Sequence, residues 1–364
     1  AASLPTTSVK PGGNAMSETI AVRPDERFAE AKLAQYLRGR LPGTEQPLTV
    51  RQFGGGAANL TYVLQYGTLE YVLRRPPIGP VAHSAHDMRR EYDVLSVLPR
   101  AFPYAPQAFL FCDDPNVLGA PFFVMERRNG VVVRKSMPVE FVNVPDAARR
   151  MSAALVDALV DFHKVDFTTL GLANLGKPEG FLQRQIEGWY RRWQAAKPGD
   201  SEDMDTVYAW LREHVPATSS VSLVHNDYKL DNVMLAQDDP GRIVAIFDWD
   251  MCTLGDPLSD LGALLTYWSE PNDPPEFQMA AMMPTGALGF FTRSELIDRY
   301  AEKSGRSMEY INFYHALGLF RLTVIIAQIY IRFVKGQTQD ERFAAFGPMI
   351  PITAHRAREV SGAS

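Results

Sequence analysis

Cysteine is nearly missing from this sequence: the 364 residues contain two, Cys112 and Cys252. Placed so far apart, they can build neither a disulfide framework nor a Cys-rich zinc site, which fits a reducing, cytoplasmic compartment. A basic surplus is missing as well. Lys and Arg number 37 against 42 Asp and Glu, a net charge of −5 with a pI of about 5.9. Overall charge therefore gives no reason to expect nucleic acid or an anionic membrane as a partner. Nor is there a long uninterrupted apolar run. The nearest, Leu317 to Val334, is broken by Arg321, Gln328 and Arg332 and reads as a buried helix of a soluble protein. Residues 1–17 are rich in Ala, Ser, Thr, Pro and Gly and lack the apolar stretch of a signal peptide. They read as a disordered tail or an appended linker, with Met16 a candidate natural start. Three catalytic signatures are absent too: G-x-x-x-x-G-K-[ST], because Gly176-Lys177 runs into Pro178, H-E-x-x-H, and G-x-S-x-G, which sets aside P-loop, zincin and α/β-hydrolase chemistry.

What is present is an ordinary globular mix, 46% hydrophobic and 22% charged, long enough for two domains or one domain in two lobes. Ala29, Leu33, Tyr36 and Leu37 stand at helical spacing before Pro42-Gly43. Strand-like runs follow at Leu48–Phe53, Leu60–Tyr66 and Glu70–Arg75, punctuated by Gly54-Gly55-Gly56 and Gly67, the pattern of an antiparallel meander. Met88, Tyr92, Leu95 and Leu98 predict an amphipathic helix, and Pro121–Glu126 another strand. Beyond about residue 127 the periodicity becomes helical, beginning with Met151, Leu155, Ala158 and Phe162 behind Pro145-Asp146. Within this half three short strands are expected, Ser222–Asn226, Asn232–Ala236 and Arg242–Phe247, the last two joined by an Asp-Asp-Pro-Gly turn. Loops are expected at Lys197–Asp205 and Glu270–Ala287.

The segment that carries chemistry is His225-Asn226-Asp227-Tyr228-Lys229-Leu230-Asp231-Asn232, an H-x-D-x-x-x-x-N pattern, followed by Ile246-Phe247-Asp248. An Asp able to accept a hydrogen bond from a substrate hydroxyl, an Asn five residues on and a second Asp at a strand end would together orient a nucleophile and hold Mg²⁺. Gly255-Asp256-Pro257-Leu258-Ser259-Asp260-Leu261 comes next. These three motifs, in this order, resemble the aminoglycoside phosphotransferase and choline kinase-like family of the protein kinase-like fold. The resemblance implies an α+β chain in two lobes: a nucleotide-binding antiparallel sheet over residues 18–126 and a larger, mainly helical catalytic and substrate-binding lobe over 127–361. It also implies ATP and Mg²⁺ as cofactors, Asp227 as the catalytic carboxylate, and Asn232 and Asp248 as metal ligands.

In the first lobe Gly54, Gly55 and Gly56 would let a backbone loop approach the ATP phosphates without Cβ obstruction; a plain hairpin turn is the alternative. Arg74, in Tyr71-Val72-Leu73-Arg74, occupies the place of the family's phosphate-contacting Lys, and Glu91 that of its paired Glu. No other Lys is available on the sheet, since only Lys10 and Lys32 precede residue 127. A guanidinium can grip both phosphate and carboxylate but is longer and planar. The Arg for Lys exchange leaves two readings besides catalysis, a surface ion pair with Glu91 and a pseudokinase-like module that binds a nucleotide or a metabolite. Phe122–Arg127 resembles the last strand and hinge of the small lobe, where Met125, Glu126 and Arg127 would offer main-chain groups to adenine. His225 and His163 read as structural histidines, Asp256 and Asp260 as braces for the loop after Asp248, and Asp250 as a residue facing metal, substrate or solvent.

Polycationic acceptors call for a carboxylate-rich site. Residues 1–126 carry 12 bases and 12 acids, leaving 25 and 30 in the remainder, a slight surplus among many arginines. Arg149, Arg150, Arg191, Arg192, Arg321 and Arg332 stand out, the last two on one apolar helix. An internal ion-pair network and contact with an anionic substrate both remain open. Val72-Leu73-Arg74-Arg75-Pro76-Pro77, Ala85–Tyr92 and Asn226–Asn232 are also similar to the subgroup of kinase domains fused to acyl-CoA dehydrogenases. That resemblance implies a small-molecule hydroxyl acceptor of the hydroxyacyl-CoA type, with a true aminoglycoside kinase as the alternative.

Overall fold

The computed structural model describes residues 19–54, 59–77, 88–217, 220–338 and 340–363. Gly55 and Gly56 lie outside the described residues. The chain divides into two compact units, residues 1–128 and 129–364.

In the first unit, β1 (Thr19–Ile20) and α1 (Glu30–Leu37) lead into β2 (Leu48–Phe53), β3 (Leu60–Tyr66) and β4 (Leu69–Arg75). Then come α2 (Met88–Val97), β5 (Ala108–Cys112), the single turn α3 (Pro115–Leu118) and β6 (Phe122–Glu126). The strands form one antiparallel sheet in the order β1-β2-β3-β4-β6-β5. β3 pairs with β4 from Leu60 opposite Arg75 to Tyr66 opposite Leu69. Gly67 adopts a left-handed φ of 59° in the two-residue turn between them, a conformation that a Cβ would penalise. Leu33 and Leu37 of α1 pack on Tyr62, Leu64, Tyr66, Leu73, Phe122 and Val124. Val63, Val72 and Met125 are buried as well, so β3, β4 and β6 are covered on both faces and show little polar alternation. β5, with the sequence AFLFC, lacks an alternation that would have betrayed it.

The second unit begins with β7 (Val131–Val132), α4 (Ala147–His163), α5 (Phe181–Ala196), α6 (Glu202–Glu213), β8 (Ser222–Val224), β9 (Val233–Ala236), β10 (Asp239–Ile246) and β11 (Thr253–Gly255). It continues with α7 (Leu258–Tyr267), α8 (Pro275–Met279), α9 (Arg293–Ser304), α10 (Ile311–Val334) and α11 (Phe346–Ser361). Two small antiparallel sheets, β10-β9-β7 and β11-β8, are set among these helices. Met151, Leu155, Ala158 and Phe162 of α4 are all buried. α10 is apolar and long enough, by length and composition, to cross a membrane; here it packs against α7, α11 and α5. Gly262 of α7 faces the Tyr314 carbonyl so closely that a Cβ would strike it, and that missing side chain lets the two helices meet at backbone distance.

Three boundaries differ from the sequence reading. The expected loop at 197–205 ends early, because the Ser201 hydroxyl accepts the Met204 amide and starts α6 at Glu202. The expected Asp-Asp-Pro-Gly turn is displaced: Asp239 already pairs with Ala236, so the turn is at 237–238 and residues 239–241 enter an irregular stretch of β10. The expected loop at 270–287 contains the short helix α8 and a further turn at Pro284–Gly286.

Candidate functional site

β8 and β11 lie side by side, with Thr253 opposite Val224 and Gly255 opposite Ser222. The chain leaves β8 at His225, crosses Asp227 and Lys229, and enters β9 after a single turn at Leu230–Asn232. It returns along β10 to Phe247 and Asp248. The Phe247 amide donates to the Asn232 carbonyl at 2.9 Å, so Asp248 follows directly on a residue bonded to Asn232. Two non-glycine residues here have left-handed backbones, Asn226 with φ 65° and Asp248 with φ 69°, an arrangement that surrounding bonds must sustain.

At Asn226 those bonds come largely from Asp260, on the first turn of α7. Its carboxylate is fully buried and accepts the His225 amide at 2.6 Å and the Asn226 amide at 2.7 Å. His163 Nε2 lies 3.2 Å from the same carboxylate, while His163 Nδ1 is 2.7 Å from the Tyr300 hydroxyl. Burial would raise the Asp260 pKa, but the bond from His163 and the amide donors outweigh it and hold the group below the usual carboxylate range. Burial lowers the His163 pKa despite Asp260, leaving a neutral ring that donates to Asp260 and accepts from Tyr300. His225 ties the loop differently: Nδ1 accepts the Asp227 amide at 3.2 Å and Nε2 donates to the Phe247 carbonyl at 2.9 Å. Both histidines are structural. Asp260, however, braces the loop that precedes Asp227, where the sequence reading had it bracing the loop after Asp248. Asp256 accepts the Leu258 amide and the Tyr314 hydroxyl.

Asp227 presents an asymmetric carboxylate. Lys229 Nζ is 2.9 Å and Asn232 Nδ2 3.0 Å from Oδ2, and Asn232 Nδ2 also reaches the Asp227 carbonyl at 2.8 Å. Among the described residues nothing bonds Asp227 Oδ1 or Asn232 Oδ1. Lys229 has no role in the sequence reading, although it stands two residues beyond Asp227 in the quoted motif; charge opposite a carboxylate within one loop was the available signal. Burial would lower its pKa, but Asp227, Tyr267 and Asp231 raise it above the ordinary lysine value, and its ammonium lies 4.9 Å from the Tyr267 ring centroid. Among the described residues there is no cluster of three His, Cys, Asp or Glu side chains placed to hold a metal. The oxygens of Asn232 and Asp248 fit an ion of the Mg²⁺ type, which keeps several waters and binds through one or two protein oxygens together with phosphates.

Beside the loop lies a cavity of ≈ 240 Å³ whose charged lining residues are Lys229 and Asp231 and whose wall is otherwise mainly apolar, including Tyr267, Met283, Ile325, Ile326, Ile329 and Met349. Asp250 is half-buried in the turn after Asp248. Arg192 and Arg321 lie over the Trp189 ring, whereas Arg191 is exposed on α5 and Arg332 is exposed in the last turn of α10. Of the two readings left open for the arginines, ion pairing is formed at Arg149 and Arg150, with Glu295 and Asp239, whereas among the described residues no carboxylate pairs with Arg191, Arg192, Arg321 or Arg332.

In the first unit Arg74 Nη1 is 3.1 Å from Glu91 Oε1, and both side chains are buried, so the pair is not a surface one. Met125 and Glu126 lie on β6, Glu126 paired with Arg128 at 2.9 Å. Arg127 sits 3.7 Å from Glu70 and over the Phe53 ring. The Gly54 carbonyl accepts from Arg23 at 3.0 Å.

Comparison with known proteins agrees with this geometry. "Acyl-CoA dehydrogenase family member 11" of Gallus gallus is 31% identical over 97% of the chain. The chain spans 45% of that relative's length. A Ralstonia eutropha protein provisionally described as an aminoglycoside phosphotransferase has 29% identity and a TM-score of 0.78, covering 93% of this chain and all of that one. Aminoglycoside phosphotransferase APH(4)-Ia, in a ternary complex with AMP-PNP and hygromycin B, shares the fold at 17% identity and a TM-score of 0.55, with 92% and 99% coverage. The sheet-bearing first unit and helical second unit are therefore those of the kinase-like aminoglycoside phosphotransferase fold. Residues 49–286 match the profile of the phosphotransferase enzyme family, a span that holds the whole H-x-D-x-x-x-x-N loop, Asp248 and the Asp260 brace, and the chain belongs to that family.

Proposed function

We propose that the chain transfers the γ-phosphoryl group of ATP, in a Mg²⁺-dependent reaction, to a hydroxyl of a small molecule of the hydroxyacyl-CoA type. The observation that carries the proposal is the half-engaged carboxylate of Asp227. Lys229 and Asn232 fix one oxygen and leave the other able to accept a hydrogen bond from an acceptor hydroxyl and aim it. Asn232 Oδ1 and the Asp248 carboxylate would hold Mg²⁺, which when bound neutralises charge on the phosphoryl group in flight. Lys229 adds a fixed positive charge beside the same position. In the first unit, Arg74, steadied by Glu91, is assigned to the nucleotide phosphates together with the Gly54-Gly55-Gly56 backbone, and the main chain of Met125, Glu126 and Arg127 to adenine. The AMP-PNP bound by a protein of the same fold supports nucleotide use. The acyl part of the proposal is supported by the curated relatives' names and by the apolar cavity that begins at Lys229 and Asp231. A wall of this kind suits an aliphatic chain better than a polycation.

The test is product formation from ATP with hydroxyacyl-CoAs and, separately, aminoglycosides, with Mg²⁺ or with chelator, for the parent and Asp227→Ala. Hydroxyacyl-CoA turnover that needs Mg²⁺ and falls by about 10²–10⁴ in the variant is expected. Equal rates in parent and variant would defeat the assignment of Asp227, and turnover of aminoglycosides alone would defeat the acceptor class.

A further inference from the structure

Most arginines around α4, α9 and α11 have carboxylates of their own. Arg149 pairs with Glu295 at 2.9 Å, Arg150 with Asp239 at 2.7 Å and Arg299 with Asp157 at 2.7 Å. Arg293 is held by both Glu270 and Asp273. Arg191 and Arg192 on α5 and Arg321 on α10 differ. Among the described residues no carboxylate reaches any of the three, yet Arg192 and Arg321 converge on one ring and the charge of Arg191 acts on Arg192. The guanidinium carbons of Arg192 and Arg321 lie 4.5 Å and 5.2 Å from the centroid of one indole ring, Trp189.

Gathering like charges without a counter-charge is unfavourable, and the effect is visible at Arg192. Arg191 and Arg192 are exposed and Arg321 is half-buried; at Arg192, desolvation of the packed side chain, and then the charges of Arg321 and Arg191, lower the pKa. An indole face offsets only part of this. A guanidinium fork that no carboxylate occupies has the shape and charge to grip an oxyanion through two parallel N–H bonds. Arg321 also reaches the turn that follows Asp248. Arg321 donates to Met251 Sδ at 3.6 Å, one residue past Asp250, and its charge acts on Tyr267, whose ring lies against the Lys229 ammonium.

We infer that Arg192 and Arg321, arranged on Trp189, with Arg191 beside them on α5, form a binding site for a phosphate-class anion. The second, apolar direction leading away from Asp227 is the cavity lined by Ile325, Ile329 and Met349. An acceptor that uses both is an amphipathic anion, with its hydroxyl at Asp227, an apolar chain in the cavity and a phosphorylated end at the arginines. The source of the anion rests on the proposed phosphotransfer; the site itself does not.

Isothermal titration of the full chain without nucleotide tests it, using coenzyme A, pantetheine and inorganic pyrophosphate as probes, at low and at high salt. Loss of one charged hydrogen-bond partner weakens binding by roughly 10- to 100-fold. Coenzyme A binding should fall by that much in Arg192→Gln and Arg321→Gln and weaken with salt. It should return in part in Arg321→Lys and stay unchanged in Arg242→Gln, whose exposed partner is Asp238. Pantetheine, lacking phosphate, should not bind measurably. Pyrophosphate binding with the same arginine dependence, in the absence of coenzyme A binding, keeps the site and makes a free polyphosphate its ligand. Failure of both phosphorylated probes to bind, or binding indifferent to the arginines in variants with parental circular dichroism, overturns the inference. Because the titration contains no ATP, either result leaves the turnover of Asp227 variants to be judged separately.

Discussion

Asp260→Asn is the most searching perturbation of this active-site loop. The carboxylate holds the His225 and Asn226 amides at 2.6 and 2.7 Å, and one of these amides belongs to a residue forced into a left-handed backbone. Asparagine is nearly the same size, so the change removes no volume. It keeps one acceptor oxygen and turns an amino group toward the remaining backbone N–H. A charge-assisted hydrogen bond contributes about 1.5–3 kcal/mol, and an orphaned buried donor costs a similar amount. Since the retained oxygen still serves one amide, a net loss of about 3 kcal/mol is expected. For a unit of this size that is a fall in Tm of roughly 6–12 °C. The damage should extend to turnover, because Asp227 is only one residue beyond Asn226 and the free oxygen of its carboxylate must keep its aim. Differential scanning calorimetry and steady-state kinetics on the same preparations provide the assay. kcat should fall by at least tenfold, with little change in the KM for ATP. A variant that melts within a degree of the parent and turns over at the parental rate would refute the claim that Asp260 positions the loop.

Two further outcomes follow from buried contacts. His315, buried near Arg293, Arg356 and Asp273, has its pKa pushed down to about 3, chiefly by burial. A depressed histidine contributes its full share of stability above its unfolded pKa of about 6.5 and loses it as pH falls toward the folded value, so about 2 kcal/mol should be gone by pH 5; His163 acts in the same direction. Urea titrations at pH 7.5 and pH 5 check this, and equal stabilities would refute it. Gly262→Ala would push a methyl group into the Tyr314 carbonyl and should destabilise the chain by about 1–3 kcal/mol; because α7 also carries Asp260, kcat should drop with it, and an unchanged melting curve would show that the helices can separate at no cost.

Much of the site was legible because its chemistry is local. Asp227, Lys229 and Asn232 lie within six residues, and a loop of that length between two strands leaves little freedom over which groups meet. The strands of the first unit were legible from β-branched and aromatic runs bounded by glycine, and α4 from its buried face at helical spacing. β5 was not, since its five residues AFLFC are all apolar and carry no alternation although it lies at the sheet's edge. The start of α6 turned on one hydroxyl of Ser201 capping the helix, a bond of the kind propensity averages away.

By itself the sequence determined the order of the elements, the H-x-D-x-x-x-x-N loop with the Asp248 strand end after it, and through these motifs the phosphotransferase family. Only the tertiary structure decided what depends on partners distant along the chain. It brought Asp260 across 35 residues to the His225 amide, paired Arg149 with Glu295 and, among the described residues, set no carboxylate on Arg191, Arg192 or Arg321. Composition counts charges but does not say which ones meet. That choice belongs to helix packing, where the close approach of α7 and α10 at Gly262 and the seat of Arg321 against Trp189 follow from shape.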